Sequence, residues 1–90
     1  MTENISSLGT LQRLCKECRN CSLAMSRQSV VFGEGNPAAK IFLLGEAPGA
    51  QEDACGRPFV GRAGKVLDQL LSAAGLTRQD VFITGSVKCR

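Results

Sequence analysis

The chain has 90 residues, of which 43% are apolar and 21% charged, so we expect a single small domain spanning residues 1–90. Its formal net charge of +3 permits a nucleic-acid partner but does not establish one. No apolar run approaches the roughly 20 residues of a membrane helix, and the first residues lack the basic and apolar segments of a signal peptide, so we expect a cytoplasmic protein with no membrane association and no obligate protein partner.

The N-terminal third contains a predicted helix, a cysteine cluster and a short predicted strand. Leucines repeat at helical spacing over the first 16 residues, which predicts a helix from Ser6 or Ser7 to about Lys16. After the cysteines, Ser29–Phe32 is a short strand candidate. The segment Gly33–Pro37 is a strong turn signal that closes it.

The five cysteines indicate metal binding or redox chemistry more than disulfides if the compartment is reducing. Cys18 and Cys21 form a C-x-x-C pair, whose thiolates can chelate one metal ion from a single turn. Cys15 has the same spacing to Cys18, and Cys89, at a predicted strand end, is a third candidate ligand. The fourth ligand of a tetrahedral thiolate site would be Cys15, Cys55 or a residue beyond position 90.

The C-x-x-C pair could instead be a redox motif or a pair of inert buried thiols. A thioredoxin-like redox motif should open a helix after a strand. This pair follows a predicted helix, which disfavours the redox motif and leaves inert thiols as the remaining alternative to a metal site.

The best strand candidate and the most unusual loop lie next to each other. The apolar run Ile41–Leu44 predicts a buried strand over Lys40–Leu44, and the glycine- and proline-rich segment Gly45–Gly61 predicts a long loop after it. Loops at strand ends are where α/β folds place their chemistry. Glu46, at the strand end, is expected to point into a cleft. Phe59 is either a core anchor for the loop or a stacking platform for a planar ligand.

The acids Glu52 and Asp53, in the middle of this loop, are more simply interpreted as capping or solvated groups than as functional ones.

The last third of the chain contains a predicted helix and a predicted strand, which complete a βαβ unit with the strand at Lys40–Leu44. An apolar stripe predicts a helix from about Arg62 to Ala74, which Gly75 ends, and a strand should follow at Val81–Thr84. Strand, helix and strand in this order imply parallel pairing through a right-handed crossover. One such unit cannot cover both faces of a parallel sheet, so we expect this chain to be part of a larger α/β domain.

Nucleotide-binding loops are disfavoured by spacing. The segment Gly61–Lys65 resembles a Walker loop, but that motif needs glycine where Phe59 stands and serine or threonine where Val66 stands. The dinucleotide pattern G-x-G-x-x-G is also absent after Leu44.

Taken in order, the motifs resemble the N-terminal half of a family 4 uracil-DNA glycosylase, the iron–sulfur type. The shared patterns cover about four-fifths of the chain, and the middle ones are highly specific. They are C-x-x-C-x-L from Cys18, V-F-G-E-G-N-P from Val31, G-E-A-P-G-x-x-E-D from Gly45, G-R-P-F-V-G-R-A-G from Gly56 and I-T-x-x-V-K-C-R from Ile83.

The resemblance implies a three-layer α/β/α fold, a [4Fe–4S] cluster and excision of uracil from DNA in base excision repair. Cys18, Cys21 and Cys89 match three cluster ligands, and the fourth family ligand falls after Arg90. A structural zinc site in place of the cluster is the alternative. Cys15 matches no family ligand position.

The resemblance also implies roles for the loop residues. Glu46 matches the acid that helps arrange the attacking water and the base, and Phe59 matches the aromatic ring that stacks on the flipped uracil. Ala47 and Gly49 belong to the substrate pocket, and Ala47 stands where related families have a water-activating aspartate. Gly85 stands where the family usually has an asparagine that recognises the uracil edge.

The chain contains no histidine, whereas a histidine motif meets the uracil oxygen in the family's C-terminal half. The resemblance therefore implies that these 90 residues alone are weakly active or inactive. A non-catalytic module that binds nucleic acid through an iron–sulfur or zinc scaffold is the alternative function.

Overall fold

The computed structural model describes residues 7–90, which form four α-helices, one 3₁₀ turn and a three-stranded sheet. The helices are α1 (Leu8–Lys16), α2 (Leu23–Ser26), α3 (Ala50–Cys55) and α4 (Arg62–Ala73). The strands are β1 (Glu34–Gly35), β2 (Phe42–Gly45) and β3 (Phe82–Gly85), and the 3₁₀ turn is Arg78–Asp80. No helix in this part of the chain is long and apolar enough to span a membrane.

The predicted N-terminal helix is confirmed as α1. Ser7 is its N-cap, because the Ser7 hydroxyl accepts a hydrogen bond from the Thr10 amide at 3.2 Å. The alternative start at Ser6, and the predicted absence of a signal peptide in the first residues, lie outside the described residues.

The predicted parallel strand pair is also confirmed. The sheet order is β1-β3-β2, and β2 pairs with β3 in parallel, with Phe42 opposite Phe82 and Gly45 opposite Gly85. The connection between them contains α3 and α4. The parallel pair therefore ends in two opposed glycines, at the carboxyl edge of the sheet.

The predicted strand at Ser29–Phe32 is wrong, because the strand in this region is β1, inside the predicted turn. Val31 makes one backbone bond to the Lys88 carbonyl (2.8 Å), and Val31 and Phe32 are buried as core residues. β1 pairs antiparallel with β3. Gly35 has a φ of +124°, and a Cβ there would overlap the Val81 carbonyl, so only glycine permits this close approach.

The prediction of a buried strand at Lys40–Leu44 is wrong in its burial and its bounds. β2 begins at Phe42, and its side chains alternate between a covered and an open face of the sheet. Leu43 packs against the core, whereas Phe42 and Leu44 are 62% and 63% exposed. Within residues 7–90 the helix α4 covers only one face of the sheet.

One part of the core lies between that covered face and α4, and on the other face Phe82 is only 8% exposed because the rings of Phe32 and Phe42 contact it. Leu71 of α4 packs against Val81 and Ile83, and Leu43 and Leu67 close the cluster. The predicted bounds of this helix agree with the structure to one residue.

Its predicted apolar stripe is only half covered, because Val66 and Leu70 of α4 are 51% and 63% exposed. Gly75, with a φ of +75°, follows the helix in the left-handed conformation typical of a helix end.

The predicted long loop contains an additional helix, α3, at Ala50–Cys55. The Gly49 amide donates to the Glu52 carboxylate at 3.0 Å, and Gly56 ends the helix with a φ of +77°. An acid three residues after the N-cap and a glycine at the C-terminus are the usual boundaries of a short helix.

The two acids of α3 fasten it to separate segments. One carboxylate oxygen of Glu52 accepts hydrogen bonds from the Val60 and Gly61 amides, both at 2.9 Å. Asp53 is 2% exposed and accepts from the Gln28 and Ser29 amides at 2.8 and 3.2 Å. Both acids therefore position backbone, as the capping interpretation predicts.

The hydrogen bonds of Glu52 lead us to expect that the free energy of unfolding depends on pH. The Gly61 amide bond, with those of Val60 and Gly49, lowers the pKa of Glu52 below its ordinary value of 4.5 although partial burial raises it. A lowered pKa in the folded state contributes stability that is present above pH 4.5 and is lost as the pH falls through the lower folded value. We expect Glu52→Gln to lower the free energy of unfolding by about 2 kcal/mol at pH 7, and by less below pH 4. Urea denaturation across this pH range measures both quantities.

The matched control is Glu17→Gln, because Glu17 is an exposed acid at the end of α1. It should change the free energy of unfolding by less than about 0.5 kcal/mol at either pH. An equal effect of the two substitutions would contradict the anchoring role of Glu52.

Candidate functional site

A cavity of about 240 Å³ opens at the carboxyl ends of β2 and β3. Its volume lies just below the roughly 300–1,000 Å³ of pockets for drug-sized ligands, so it suits a small ring. The residues that line it come from the strand ends, the loop after β2 and the start of α4. They are Val31, Gly45, Glu46, Ala47, Pro48, Gly49, Glu52, Pro58, Phe59, Ala63, Thr84, Gly85 and Val87.

The structure brings together all five residues that the sequence assigns to catalysis or substrate binding. Glu46, Ala47, Gly49, Phe59 and Gly85 all line this one cavity. Apart from Glu52 and Thr84, the other lining residues are apolar or glycine, which leaves polar recognition to few groups, as is usual for small-molecule pockets.

Glu46 is fixed through its backbone at the rim of the cavity. Its carbonyl oxygen accepts hydrogen bonds from the Val87 amide at 2.9 Å and the Ser86 hydroxyl at 3.0 Å, which extend the parallel pairing beyond β2. The residue itself is exposed. Ala47 follows it in the wall of the cavity, and a methyl group cannot activate water. Glu52 also lines the cavity, but its carboxylate accepts hydrogen bonds from backbone amides, so the exposed acid at this rim is Glu46.

Phe59 anchors its loop in the core, the first of the two alternatives that its sequence position left open, while the stacking role stays a prediction. It packs against the core cluster, as a loop anchor would, and it also lines the cavity. A Cβ on Gly45 would lie only 2.8 Å from the Phe59 ring, so the ring lies against bare backbone at the end of β2. Glycine at position 45 is thus required for the ring to reach this place.

The backbone at Phe59 is left-handed, with a φ of +51°, and it is the only non-glycine residue among residues 7–90 with a positive φ. This conformation costs an ordinary side chain roughly 1–2 kcal/mol, so surrounding contacts must maintain it. A Cβ on Gly64 would overlap the Phe59 carbonyl, so Gly64 lets α4 begin directly against the loop.

Arg78 supplies the polar contacts of the same stretch of backbone. Its guanidinium donates to the carbonyl oxygens of Pro58, at 3.1 Å, and Phe59. Asp68 accepts from the Arg78 Nε at 2.6 Å.

Gly85 pairs with Gly45 and lies beside the Glu46 backbone in the cavity wall. A Cβ there would lie 3.1 Å from the Val87 carbonyl oxygen and 3.5 Å from that of Glu46, so a side chain needs a shift of a few tenths of an ångström. Lys88 donates to the Gly85 carbonyl and, at 2.6 Å, to the Thr84 hydroxyl. Burial lowers the pKa of Lys88. The position therefore has an ordered backbone and no side chain to recognise a ligand.

The predicted cysteine ligands lie in another region and are not assembled. Among residues 7–90, no three cysteine, histidine or acidic side chains stand close enough to hold one metal ion. Arg27 connects the two cysteine-bearing segments, because it donates to the Cys89 sulfur at 3.2 Å and to the Lys16 carbonyl at 3.4 Å. Cys21 is exposed.

Cys15, which matches no expected ligand position, lies in electrostatic contact with two of the predicted ligands. Burial raises the pKa of the Cys15 thiol, Lys88 lowers it, and Cys18 and Cys89 raise it further. Cys55 interacts electrostatically with Arg57 instead. The Cys18 amide also donates to the Cys15 carbonyl at 3.2 Å, so Cys15 lies beside the cysteine pair.

Sequence patterns did not reveal Arg78, and the capping interpretation of Glu52 did not identify the Val60 and Gly61 amides as its partners. The Glu52 contacts follow from the spacing Gly49-x-x-Glu52, a capping signal that could have been recognised. Arg78 lies in a turn after Thr77 and 19 positions from Phe59, and no local pattern connects the two.

Comparison with known proteins gives consistent matches. A family model described as "Uracil DNA glycosylase superfamily" matches residues 32–90. A type-4 uracil-DNA glycosylase of Thermotoga maritima is 52% identical over 75 residues, or 83% of this chain and 39% of that relative. One of Pyrobaculum aerophilum is 51% identical over 83 residues, or 92% of this chain and 42% of the relative. One of Archaeoglobus fulgidus is 46% identical over 86 residues, or 96% of this chain and 43% of the relative.

The chain spans about two-fifths of the length of the curated relatives that it matches. The matched region includes the whole cavity, apart from Val31, and the α/β unit that forms it. The chain belongs to the uracil DNA glycosylase superfamily, and its α/β fold is that of part of such a domain.

Proposed function

We propose that the full-length protein, meaning these 90 residues with any sequence that adjoins them in the gene product, is a uracil-DNA glycosylase. It would hydrolyse the N-glycosidic bond of deoxyuridine in DNA. The observation that carries this proposal is the convergence of Glu46, Ala47, Gly49, Phe59 and Gly85 on one small cavity at the strand ends. Relatives named type-4 uracil-DNA glycosylases support it.

The cavity suits a base that has left the duplex. An enzyme that acts on a base must extrude it, stack it and recognise its edge. Phe59 would supply the stacking surface, because its ring lies in the cavity wall with its backbone held in place. Stacking on an aromatic ring is worth about 1–3 kcal/mol per base.

Glu46 would act on the other side of the base. Its carboxylate stands at the rim, where it can orient a water molecule and the deoxyribose, while Ala47 offers no base to deprotonate that water. The reaction would then depend on stabilising the negative charge that develops on the departing uracil. Gly85 contributes no side chain to that task.

DNA would be the partner, held through its phosphates. Positively charged residues outnumber acids by 11 to 8, and each neutralised phosphate releases counterions and adds affinity. The proposal requires no membrane or protein partner.

We also propose a [4Fe–4S] cluster bound by Cys18, Cys21 and Cys89. The donor chemistry suits it, because all three cysteines have free thiols and soft thiolates select iron–sulfur clusters or zinc. The arrangement of residues 7–90 does not by itself complete the site. When bound, the cluster would tie the segment after α1 to the segment after β3.

A second candidate function is a non-catalytic module that binds nucleic acid through the same scaffold. Gly85 favours it, because the cavity lacks an edge-recognising side chain at that position. The absence of histidine from the sequence favours it as well.

Phe59→Ala should slow single-turnover release of uracil from an oligonucleotide by about 5- to 100-fold in the full-length protein, because stacking is lost. Phe42→Ala is the matched control, since Phe42 is exposed on the open sheet face, away from the cavity. It should change the rate by less than about twofold. Absence of any base release by the unsubstituted protein would overturn the glycosylase proposal.

Gly85→Asn should increase uracil excision by about 5- to 100-fold, because an amide in the cavity wall adds hydrogen bonds to the uracil edge. Gly75→Asn adds the same side chain in open space after α4 and should leave excision unchanged. If excision appears only in Gly85→Asn, the natural protein is the non-catalytic binder. If the substitution lowers excision, Gly85 does not occupy the base-recognition position.

Anaerobic purification should give a brown protein that contains iron and sulfide and absorbs near roughly 400 nm. Cys18→Ser should lower the iron content by more than about half, because one thiolate ligand is lost, whereas Cys55→Ser should leave it unchanged. Cys15→Ser tests whether the neighbouring thiol is also a ligand. A colourless protein with one zinc ion would contradict the cluster and favour the zinc site.

A further inference from the structure

We propose that Arg78 is a positioning residue for the stacking ring, and that it sets the ring orientation by holding the two peptide groups on either side of the Phe59 Cα. This inference rests on the proposed function, in which Phe59 stacks on the base. Arg78 does not line the cavity, so it acts through Phe59 and not on the substrate.

The contacts of Arg78 are divided between the two carbonyl groups that flank the Phe59 Cα. One guanidinium nitrogen donates to the Pro58 carbonyl at 3.1 Å, and the other donates to the Phe59 carbonyl. The side chain is only 17% exposed, so these bonds form largely away from water. A planar guanidinium can hold two acceptors in fixed directions, which the single ammonium group of a lysine cannot do.

The backbone that Arg78 holds has a conformation that needs support. Phe59 has a φ of +51°, a left-handed geometry that an L-residue seldom adopts. Without the two carbonyl contacts, the peptide groups on either side of the Phe59 Cα can rotate toward ordinary extended geometry. Such a rotation turns the Cα–Cβ bond and moves the ring out of its place against Gly45.

The Arg78 side chain is itself held by two acids, which fix the direction in which its guanidinium points. Asp68 of α4 accepts from its Nε at 2.6 Å, and the Glu34 carboxylate of β1 lies 3.8 Å away. The 3₁₀ turn starts at Arg78, and the Thr77 amide donates to Asp80 at 2.8 Å to fix that start. The guanidinium thus joins α4, β1 and the loop at the rear of the ring.

Arg57 provides a natural control within the same ion-pair network. It donates to both oxygens of Glu34 at 2.8 Å, and its side chain is 59% exposed, whereas the bonds to the loop carbonyls come from Arg78. Substitution of Arg57 therefore perturbs Glu34 and the local charge without releasing the Phe59 backbone.

The decisive experiment is a double-mutant cycle in the full-length protein, read as single-turnover release of uracil. Arg78→Ala should slow release by about tenfold when Phe59 is present and by less than about twofold in a Phe59→Ala background. Arg78→Lys should recover part of the rate, and Arg57→Ala should change it by less than about twofold. Additive losses in the cycle, as general destabilisation would produce, would overturn the proposal.

A second measurement does not depend on excision. With 4-fluorophenylalanine placed at position 59, Arg78→Lys should shift or broaden the ¹⁹F signal of the folded protein, whereas Arg57→Lys should leave it in place. Unchanged signals in both variants would overturn the positioning role even if Arg78→Ala fails to fold. A shifted signal combined with no base release by the unsubstituted full-length protein would overturn the proposed function and leave the positioning role standing.

Discussion

The architecture of the cavity depends on one constraint, the left-handed backbone at Phe59. Two glycines make room for this residue, because Gly45 and Gly64 have no side chain to collide with it. Two charged groups hold the backbone around it: the Arg78 guanidinium binds the Phe59 carbonyl, and the Glu52 carboxylate binds the two amides that follow Phe59. Because these contacts come from β2, α3, α4 and the 3₁₀ turn, the ring position reports whether the whole βαβ unit is assembled. A strained residue held by several neighbours is typical of functional sites.

The acids of the loop divide into two classes that their sequence spacing only partly distinguishes. Glu52 and Asp53 each satisfy backbone amides of segments distant in sequence, so their charge is used to fix the chain. Glu46 presents its carbonyl group to Ser86 and Val87 and remains exposed at the cavity rim. The carboxylate that is available for chemistry is therefore the one at the strand end, where α/β folds bind their ligands.

Sequence patterns predicted α1, α4 and the parallel pair of β2 and β3, because leucine periodicity and apolar runs reflect burial against a neighbouring element. They placed β1 wrongly, since its pairing depends on positive φ values at glycines that composition does not reveal. They overestimated the burial of β2, because an apolar run does not show which face of a strand is covered.

Motif resemblance identified the residues around the cavity. The contact between Arg78 and Phe59 could not be predicted in this way, because the two residues are 19 positions apart in the sequence and share no local pattern. The cysteine site is the reverse case. Its pattern is recognisable in the sequence, but residues 7–90 contain no group of three side chains placed to hold one metal ion.

The most direct test of the proposed base pocket is a crystal structure of the full-length protein with free uracil bound. A base-binding cavity predicts a uracil ring stacked parallel to the Phe59 ring at about 3.5–4 Å, with one edge toward Gly85 and Glu46 at the rim. Uracil bound elsewhere, or a Phe59 ring turned away from an empty cavity, would contradict it.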